Sequence, residues 1–366
     1  MTYTFSPSLS HPFTASPSVA AVHQSGLGRP AETGVGAFTQ HRTQPVRRSV
    51  QPTITARRAL RPAASALPFR LDRYVAMELI GADGMGVVYR AVDRDTGSDV
   101  ALKVLPADTV DARLRDRFVR EVRQTARLTH ANTIRVLSHG EAADGSLFYA
   151  MELVRGADLA RLVKTYGPMP AARVAHVLRQ AAEALGEAHE LGIVHRDVKP
   201  PNLLLACTSP APDTLKVVDF GLVKDLVGCD PEVTLDGMVL GTPGFLPFEA
   251  VDRPGSVDAR SDVYMLGAVA YYLLTGSRPY DLGARTRTWL DAMRSAPTPM
   301  EERLGAPIAR DLDEIVMRCL SHDASRRPAH GRALALELGA CSLADRWTAQ
   351  DAARFWMLHD GPCSRA

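Results

Sequence analysis

The sequence predicts an α+β protein in two unequal parts: a small β-rich part with one main helix, followed by a larger, mainly helical part. Two observations carry this expectation. Short strand-like segments cluster in residues 74–155, and long helical periodicities begin only after Gly156. No repeat of fixed period runs through the chain, which argues against a solenoid or a propeller. At 366 residues the length corresponds to about two to two and a half domains. Hydrophobic residues make up 46% and charged residues 23%, which excludes a wholly disordered, collagen-like or coiled-coil chain.

Residues 1–70 come first. They are rich in Ser, Thr, Ala, Pro and Gly, show no sustained periodicity, and bury too little apolar surface to fold alone, so they are expected to be a disordered tail. The texture changes at Tyr74. Residues 75–80, 87–89 and 100–102 are expected strands, and residues 113–128 an expected helix, with Leu114, Phe118, Val122 and Ala126 spaced by four near one stripe. Residues 171–191 and 262–274 are long helix candidates, separated by loops that hold most of the polar chemistry. Residues 347–358 form a short amphipathic helix expected to dock on the body. The boundaries expected are a tail at 1–70, a β-rich unit at 74–155, a helical unit at 156–342 and a C-terminal extension at 343–366.

Charge and cysteines narrow the class. Residues 1–70 carry eight arginines, no lysine and one acid, Glu32, a net +7, so against a whole-chain +2 the remainder is −5. Non-specific nucleic-acid binding by the body is therefore not suggested, since it needs a clustered positive surface, and only the tail could supply one. That tail is also loosely transit-peptide-like in composition. Cys207, Cys229, Cys319, Cys341 and Cys363 are scattered, with no C-x-x-C pair, so neither a disulfide framework nor a zinc site is legible and a reducing compartment fits. The most apolar window, residues 263–275, is 13 residues long. A helix needs roughly 20 to span a bilayer, so no membrane span is expected.

The chemistry begins at Ile80-Gly81-Ala82-Asp83-Gly84-Met85-Gly86-Val87-Val88, a glycine-rich turn between two expected strands, where backbone N–H groups can approach phosphate oxygens. Alone, such a loop is more often only a hairpin. Lys103, inside Val100-Ala101-Leu102-Lys103, reads either as a solvated edge residue or as a cation reaching back under that loop. Glu121, in Phe118-Val119-Arg120-Glu121, is either its anionic partner or a solvent-facing helix residue. Two further segments shift the balance: His195-Arg196-Asp197-Val198-Lys199-Pro200-Pro201-Asn202, and Asp219-Phe220-Gly221 after an apolar run.

Together with Gly241-Thr242-Pro243 before Glu249 and with Arg260-Ser261-Asp262, these segments resemble the protein kinase superfamily, and within it the bacterial eukaryotic-like Ser/Thr kinases, over residues 74–338. The resemblance implies a bilobal kinase fold, ATP and Mg²⁺ (or Mn²⁺) as cofactors, and protein Ser or Thr as acceptor. Phosphoryl transfer asks a protein for positioning and charge neutralisation, which is why one base, oxygen metal ligands and cations recur. By resemblance Asp197 orients the acceptor hydroxyl and takes its proton, and Asn202 and Asp219 hold the metal. Lys103, fixed by Glu121, grips the α- and β-phosphates, and Lys199 neutralises the transferred group. Met151 would stand beside the adenine, whose edge would meet the backbone from Glu152 to Val154. Glu249 pairs with Arg327 and Asp262 anchors the catalytic loop, both structurally.

Departures from the family pattern are Asp83, where a second glycine is expected, and Pro247-Phe248-Glu249 in place of Ala-Pro-Glu. Like charges at about 4 Å cost around 1 kcal/mol in water, so Asp83 is expected to face solvent and to raise the ATP KM. Arg196 beside Asp197 implies an activation segment ordered by phosphorylation, with Thr234 as acceptor and Asp236 imitating part of a second charge, or else both are ordinary loop residues. The expected function is ATP-dependent Ser/Thr protein phosphorylation, autophosphorylation included, in the cytoplasm. Protein substrates are the expected partners, with a dimer for trans-autophosphorylation. A nucleotide-binding pseudokinase or scaffold, and a small-molecule kinase, are the alternatives.

Overall fold

The structure is a computed structural model that describes residues 67–82, 86–207, 211–220, 244–280 and 295–359. The expected tail thus lies outside the described residues except at its end. There the strand β1 (Phe69–Leu71) pairs antiparallel with β2 (Tyr74–Ala82) through Phe69–Ala76 and Leu71–Tyr74, so the sheet starts before Tyr74 rather than at it.

β3 (Val87–Asp93), β4 (Asp99–Leu105), β5 (Val136–Glu141) and β6 (Leu147–Glu152) complete a six-stranded sheet in the order β1-β2-β3-β4-β6-β5, with every pairing antiparallel. Side chains alternate across a strand. On β4, Val100, Leu102 and Val104 therefore face a cluster with Tyr74, Tyr89 and Phe148, while Ala101 and Leu105 face Phe118 and Val122 of α1 (Ala112–Thr125). Lys103 falls on the α1 side by the same parity. α1 starts at Asp111, whose carboxylate accepts from the Leu114 N–H at 2.7 Å and satisfies one of the first-turn donors.

The rest is mainly helical. A three-stranded sheet of β7 (Gly156–Asp158), β8 (Leu203–Ala206) and β9 (Thr214–Val217) lies among α2 (Leu159–Tyr166), α3 (Ala171–Glu190), α4 (Glu249–Asp252), α5 (Ala259–Thr275), α6 (Met300–Leu304), α7 (Arg310–Cys319) and α8 (Gly331–Ala340). α3 and α5 supply the largest shares of the core of this part; nearly all of α5 is buried, which fits its lack of an amphipathic stripe. Asp258 and Ser261 form a capping box at its start, and Gly276 ends it with φ +72°. α9 (Ala349–Leu358) docks on the body through the buried Trp356. Cys319 and Cys341 are free and buried, whereas Cys207 is disulfide-bonded, which the scattered spacing did not announce. No helix among the described residues is long and apolar enough to cross a membrane.

Candidate active site

Lys103 is not a solvated edge residue: β4 is an inner strand, and the side chain is 3% exposed. Its Nζ lies 2.9 Å from Oδ1 of Asp219, and the Tyr149 hydroxyl donates to the same oxygen at 2.8 Å. Burial opposes ionisation of Asp219, yet the Lys103 ammonium and the hydrogen bonds from Lys103 and Tyr149 outweigh it and hold the carboxyl below the usual carboxylate value. The Glu121 backbone is in α1; its side chain lies outside the described residues.

A second group converges on Asp197. Lys199 Nζ lies 2.9 Å from its Oδ2, and the Asn202 amide nitrogen donates to its carbonyl at 2.9 Å and to Oδ2 at 3.2 Å. Because that amide's N–H groups are both spent on Asp197, its Oδ1 is left as an acceptor. The two groups are joined through Val218. Its N–H donates to the Asn202 carbonyl at 3.0 Å, its carbonyl accepts from His195 Nε2 at 3.0 Å, and Asp219 is the next residue. Phe220 is buried with its ring centroid 4.6 Å from that of His195.

The loop that presents Asp197 is pinned from below by Asp262 at the start of α5. This fully buried carboxylate accepts from the backbone N–H groups of His195 at 2.7 Å and Arg196 at 2.8 Å, and from His189 Nε2 at 2.9 Å. The other imidazole nitrogen of His189 accepts from the Gly331 N–H at 3.0 Å, which fixes the proton on Nε2. Only glycine fits at 331: a Cβ there would lie 2.5 Å from the Ala182 carbonyl oxygen. Arg196 and Asp219 hold φ of +63° and +57°, left-handed values that non-glycine residues adopt at a cost of about 1–3 kcal/mol and that cluster at functional sites.

Beside these charges lies an apolar wall. Ala101 pairs in register with Met151, both are buried in one cluster, and the half-buried Val88 and Val154 pack against it. Leu204 of β8, which the sequence did not single out, packs there too. The Glu152 N–H donates to the Arg135 carbonyl at 3.0 Å, and its carboxylate is held by Lys216 at 2.7 Å. In the glycine turn, Gly81 pairs with Val88, Ala82 pairs with Val87, and Ile80 is exposed. Asp83, Gly84 and Met85 lie outside the described residues. Gly86 is needed for close approach to β4, since a Cβ would meet the Val104 carbonyl oxygen at 2.6 Å.

Thr234 and Thr242 lie outside the described residues. Glu249 is gripped by Arg327 through two bonds of 2.5 and 3.0 Å, and Ser261 Oγ donates to it at 3.0 Å. Burial raises the Glu249 pKa, but the Arg327 guanidinium overrides it and the net shift is downward. The Phe248 and His322 rings lie with centroids 4.7 Å apart and tilted by 42°. Tyr149 and His189 were missed from the sequence, and His195, quoted there within its motif, was given no role. Tyr149 sits in an apolar strand whose pattern reports burial only, and the two histidines act through the tertiary position of their ring nitrogens.

A buried lysine on an antiparallel sheet, a carboxylate turned toward it, and an aspartate–lysine–asparagine cluster held on a helical body place the site on a fold of two lobes. The chain belongs to the protein kinase family: residues 74–338 match the protein kinase domain. It is 37% identical over 275 residues to the serine/threonine-protein kinase pkn3 of Myxococcus xanthus, covering 73% of this chain and 50% of that protein. To the serine/threonine-protein kinase PknB of Mycobacterium tuberculosis it is 38% identical over 260 residues, covering 70% and 41%. The chain thus spans about half or less of the length of these relatives. The crystal structure of the Mycobacterium tuberculosis PknI kinase domain superposes with a TM-score of 0.58 at 26% identity, covering 76% of this chain and 99% of that one.

Proposed function

We propose that the protein is an ATP-dependent serine/threonine protein kinase that also phosphorylates itself. The observation that carries the reading is the hydrogen-bonded set of Asp197, Lys199 and Asn202, tied through Val218 to the Asp219–Lys103 pair. The names of the relatives support the Ser/Thr acceptor class.

In this reading Asp197 accepts the proton of the acceptor hydroxyl as its oxygen bonds to the γ-phosphorus and the bond to the bridging oxygen of the leaving ADP breaks. Lys199, already beside Asp197, offsets charge on the transferred phosphoryl, and Lys103 binds the α- and β-phosphates. The apolar wall of Val88, Ala101, Met151 and Leu204 takes the adenine, and the backbone from Glu152 to Val154 meets its edge. The glycine turn from Ile80 to Gly86 covers the phosphates. The residues fit Mg²⁺: the Asp219 carboxylate and the Asn202 Oδ1 are hard oxygen donors. When bound, the ion neutralises phosphate charge; Mn²⁺ has the same donor preference.

Thr234 is the proposed phosphoacceptor of the activation segment, with Arg196 as its partner, and peptide mass spectrometry of active protein tests it. The reaction is tested by incubating the full chain with labelled ATP, Mg²⁺ and a generic protein substrate, followed by phosphoamino-acid analysis. Label on Ser and Thr is expected. Label on Tyr alone, or on a small-molecule acceptor alone, would contradict the acceptor class.

A further inference from the structure

Asp213, at the closed end of the β8–β9 hairpin, is fully buried and receives four hydrogen bonds, two on each carboxylate oxygen. Arg173 of α3 donates to Oδ2 from Nε and to Oδ1 from a terminal nitrogen, both at 2.8 Å. The other two donors come from the C-terminal extension: Trp347 Nε1 to Oδ2 at 2.9 Å, and Trp356 Nε1 to Oδ1 at 2.6 Å. The same segment lays the Phe355 ring 3.7 Å from the Arg173 guanidinium, with the Trp347 and Trp356 rings at 5.2 and 5.7 Å. Three rings thus shut an ion pair away from water. A buried carboxylate tolerates this only while every lone pair is met. Asp213 also holds φ +62°, a left-handed value that its surroundings must enforce.

The open end of the same hairpin is the candidate metal site. Asn202 immediately precedes β8 and Asp219 follows β9 by two residues. The strands pair from Ala206–Thr214 to Leu203–Val217, and the Val218 N–H to Asn202 carbonyl bond extends the ladder by one step. At about 3.3 Å per residue, Asp213 therefore stands about 17 Å along the two-stranded ladder from Asn202 and about 20 Å from Asp219. A second tie runs alongside. Gln180 donates to the Asp213 carbonyl at 3.0 Å while its amide oxygen accepts from Leu215 N at 3.0 Å and from Asn132 Nδ2 at 2.8 Å.

We infer that Trp347 and Trp356 are positioning residues for the metal site, setting the β8–β9 hairpin through Asp213 so that Asn202 and Asp219 are held at one end of it. This rests on the kinase reading above. Without the two indole donors the carboxylate keeps Arg173 but loses half its partners, Asp213 and the start of β9 relax, and the spacing of Asn202 and Asp219 widens its distribution. The consequence falls on metal affinity rather than on the adenine wall.

The test uses the full chain with Trp347→Phe and Trp356→Phe combined, which keeps the rings and removes both donors. Mn²⁺ binding with ADP is read by electron paramagnetic resonance, which needs no turnover, alongside Mg²⁺ titration of phosphate transfer. A three- to ten-fold rise in the Mn²⁺ and Mg²⁺ midpoints, with the ATP KM at saturating Mg²⁺ within two-fold of native, is expected. Tyr166→Phe, which removes only the Tyr166 hydroxyl to His359 carbonyl bond on the flank of α9, is expected to leave both midpoints unchanged. A folded double variant with native midpoints overturns the inference, as does an equal shift in Tyr166→Phe. If the double variant fails to fold, Trp347→Phe alone is read in the same way. Native protein that binds Mn²⁺ and ADP without transferring phosphate refutes the kinase reading, while the binding midpoints still decide this one.

Discussion

Lys103 Nζ and Asp219 Oδ1 stand 2.9 Å apart although 116 residues separate them in the chain. The contact joins the inner strand of the antiparallel sheet to the end of the β8–β9 hairpin. It fixes the cation proposed to reach phosphates relative to the carboxylate proposed to reach the metal.

Replacing Lys103 with Met should cut kcat/KM by about 100-fold or more, because a preorganised charge on the phosphates is lost. Burial then acts on Asp219 without its main counterion, so its pKa rises from a value now held below the ordinary 3.8. Steady-state kinetics and the carboxyl resonance of Asp219 read the two effects.

Removing Glu249 from its pair with Arg327 should cost the helical body about 3 kcal/mol, since it leaves the buried Arg327 charge without its partner. Glu249 has a folded pKa below its ordinary 4.5, so its contribution is fully present above that pH and is lost as pH falls below it. Urea unfolding of native and Glu249→Gln protein should therefore differ most near neutrality and converge in acid. A gap that widens in acid would contradict the assignment.

Asp262→Asn turns one acceptor oxygen into a donor that faces the His195 and Arg196 N–H groups or the His189 ring. A loss of about 2–3 kcal/mol is expected from the donors left unsatisfied, with phosphate transfer falling further than stability alone explains. Thermal unfolding and transfer assays on the same samples separate the two.

Gly86→Ala places a Cβ 2.6 Å from the Val104 carbonyl oxygen, so the glycine turn must lift away from β4. A penalty of about 1–3 kcal/mol and a rise in ATP KM of roughly ten-fold are expected. Met151→Leu, which stays apolar and similar in volume, should leave stability within about 1.5 kcal/mol of native.

What was legible in the sequence was chemistry carried by short motifs. His195 to Asn202 and Asp219-Phe220 each lie within eight residues, so their types and spacing are readable before any fold is known. The helices at α3 and α5 were legible because their apolar content persists over many turns. β1 was not, because three residues give no period and its pairing with Tyr74 to Ala76 is a tertiary fact. Tyr149 was hidden because hydroxyl direction leaves no trace in an apolar strand. The Asp213 cluster was hidden because its donors, Trp347 and Trp356, stand 134 and 143 residues away.

The most direct measurement of the central claim pairs phosphate transfer from ATP with ATP binding, in native protein and in Asp197→Asn. Transfer by the native chain, reduced at least 1,000-fold on the order expected for a lost catalytic base with its positioning, and an ATP Kd unchanged within two-fold, is the predicted result. Native protein that binds ATP and transfers nothing to protein Ser or Thr, or a variant that transfers as well as native, would contradict it.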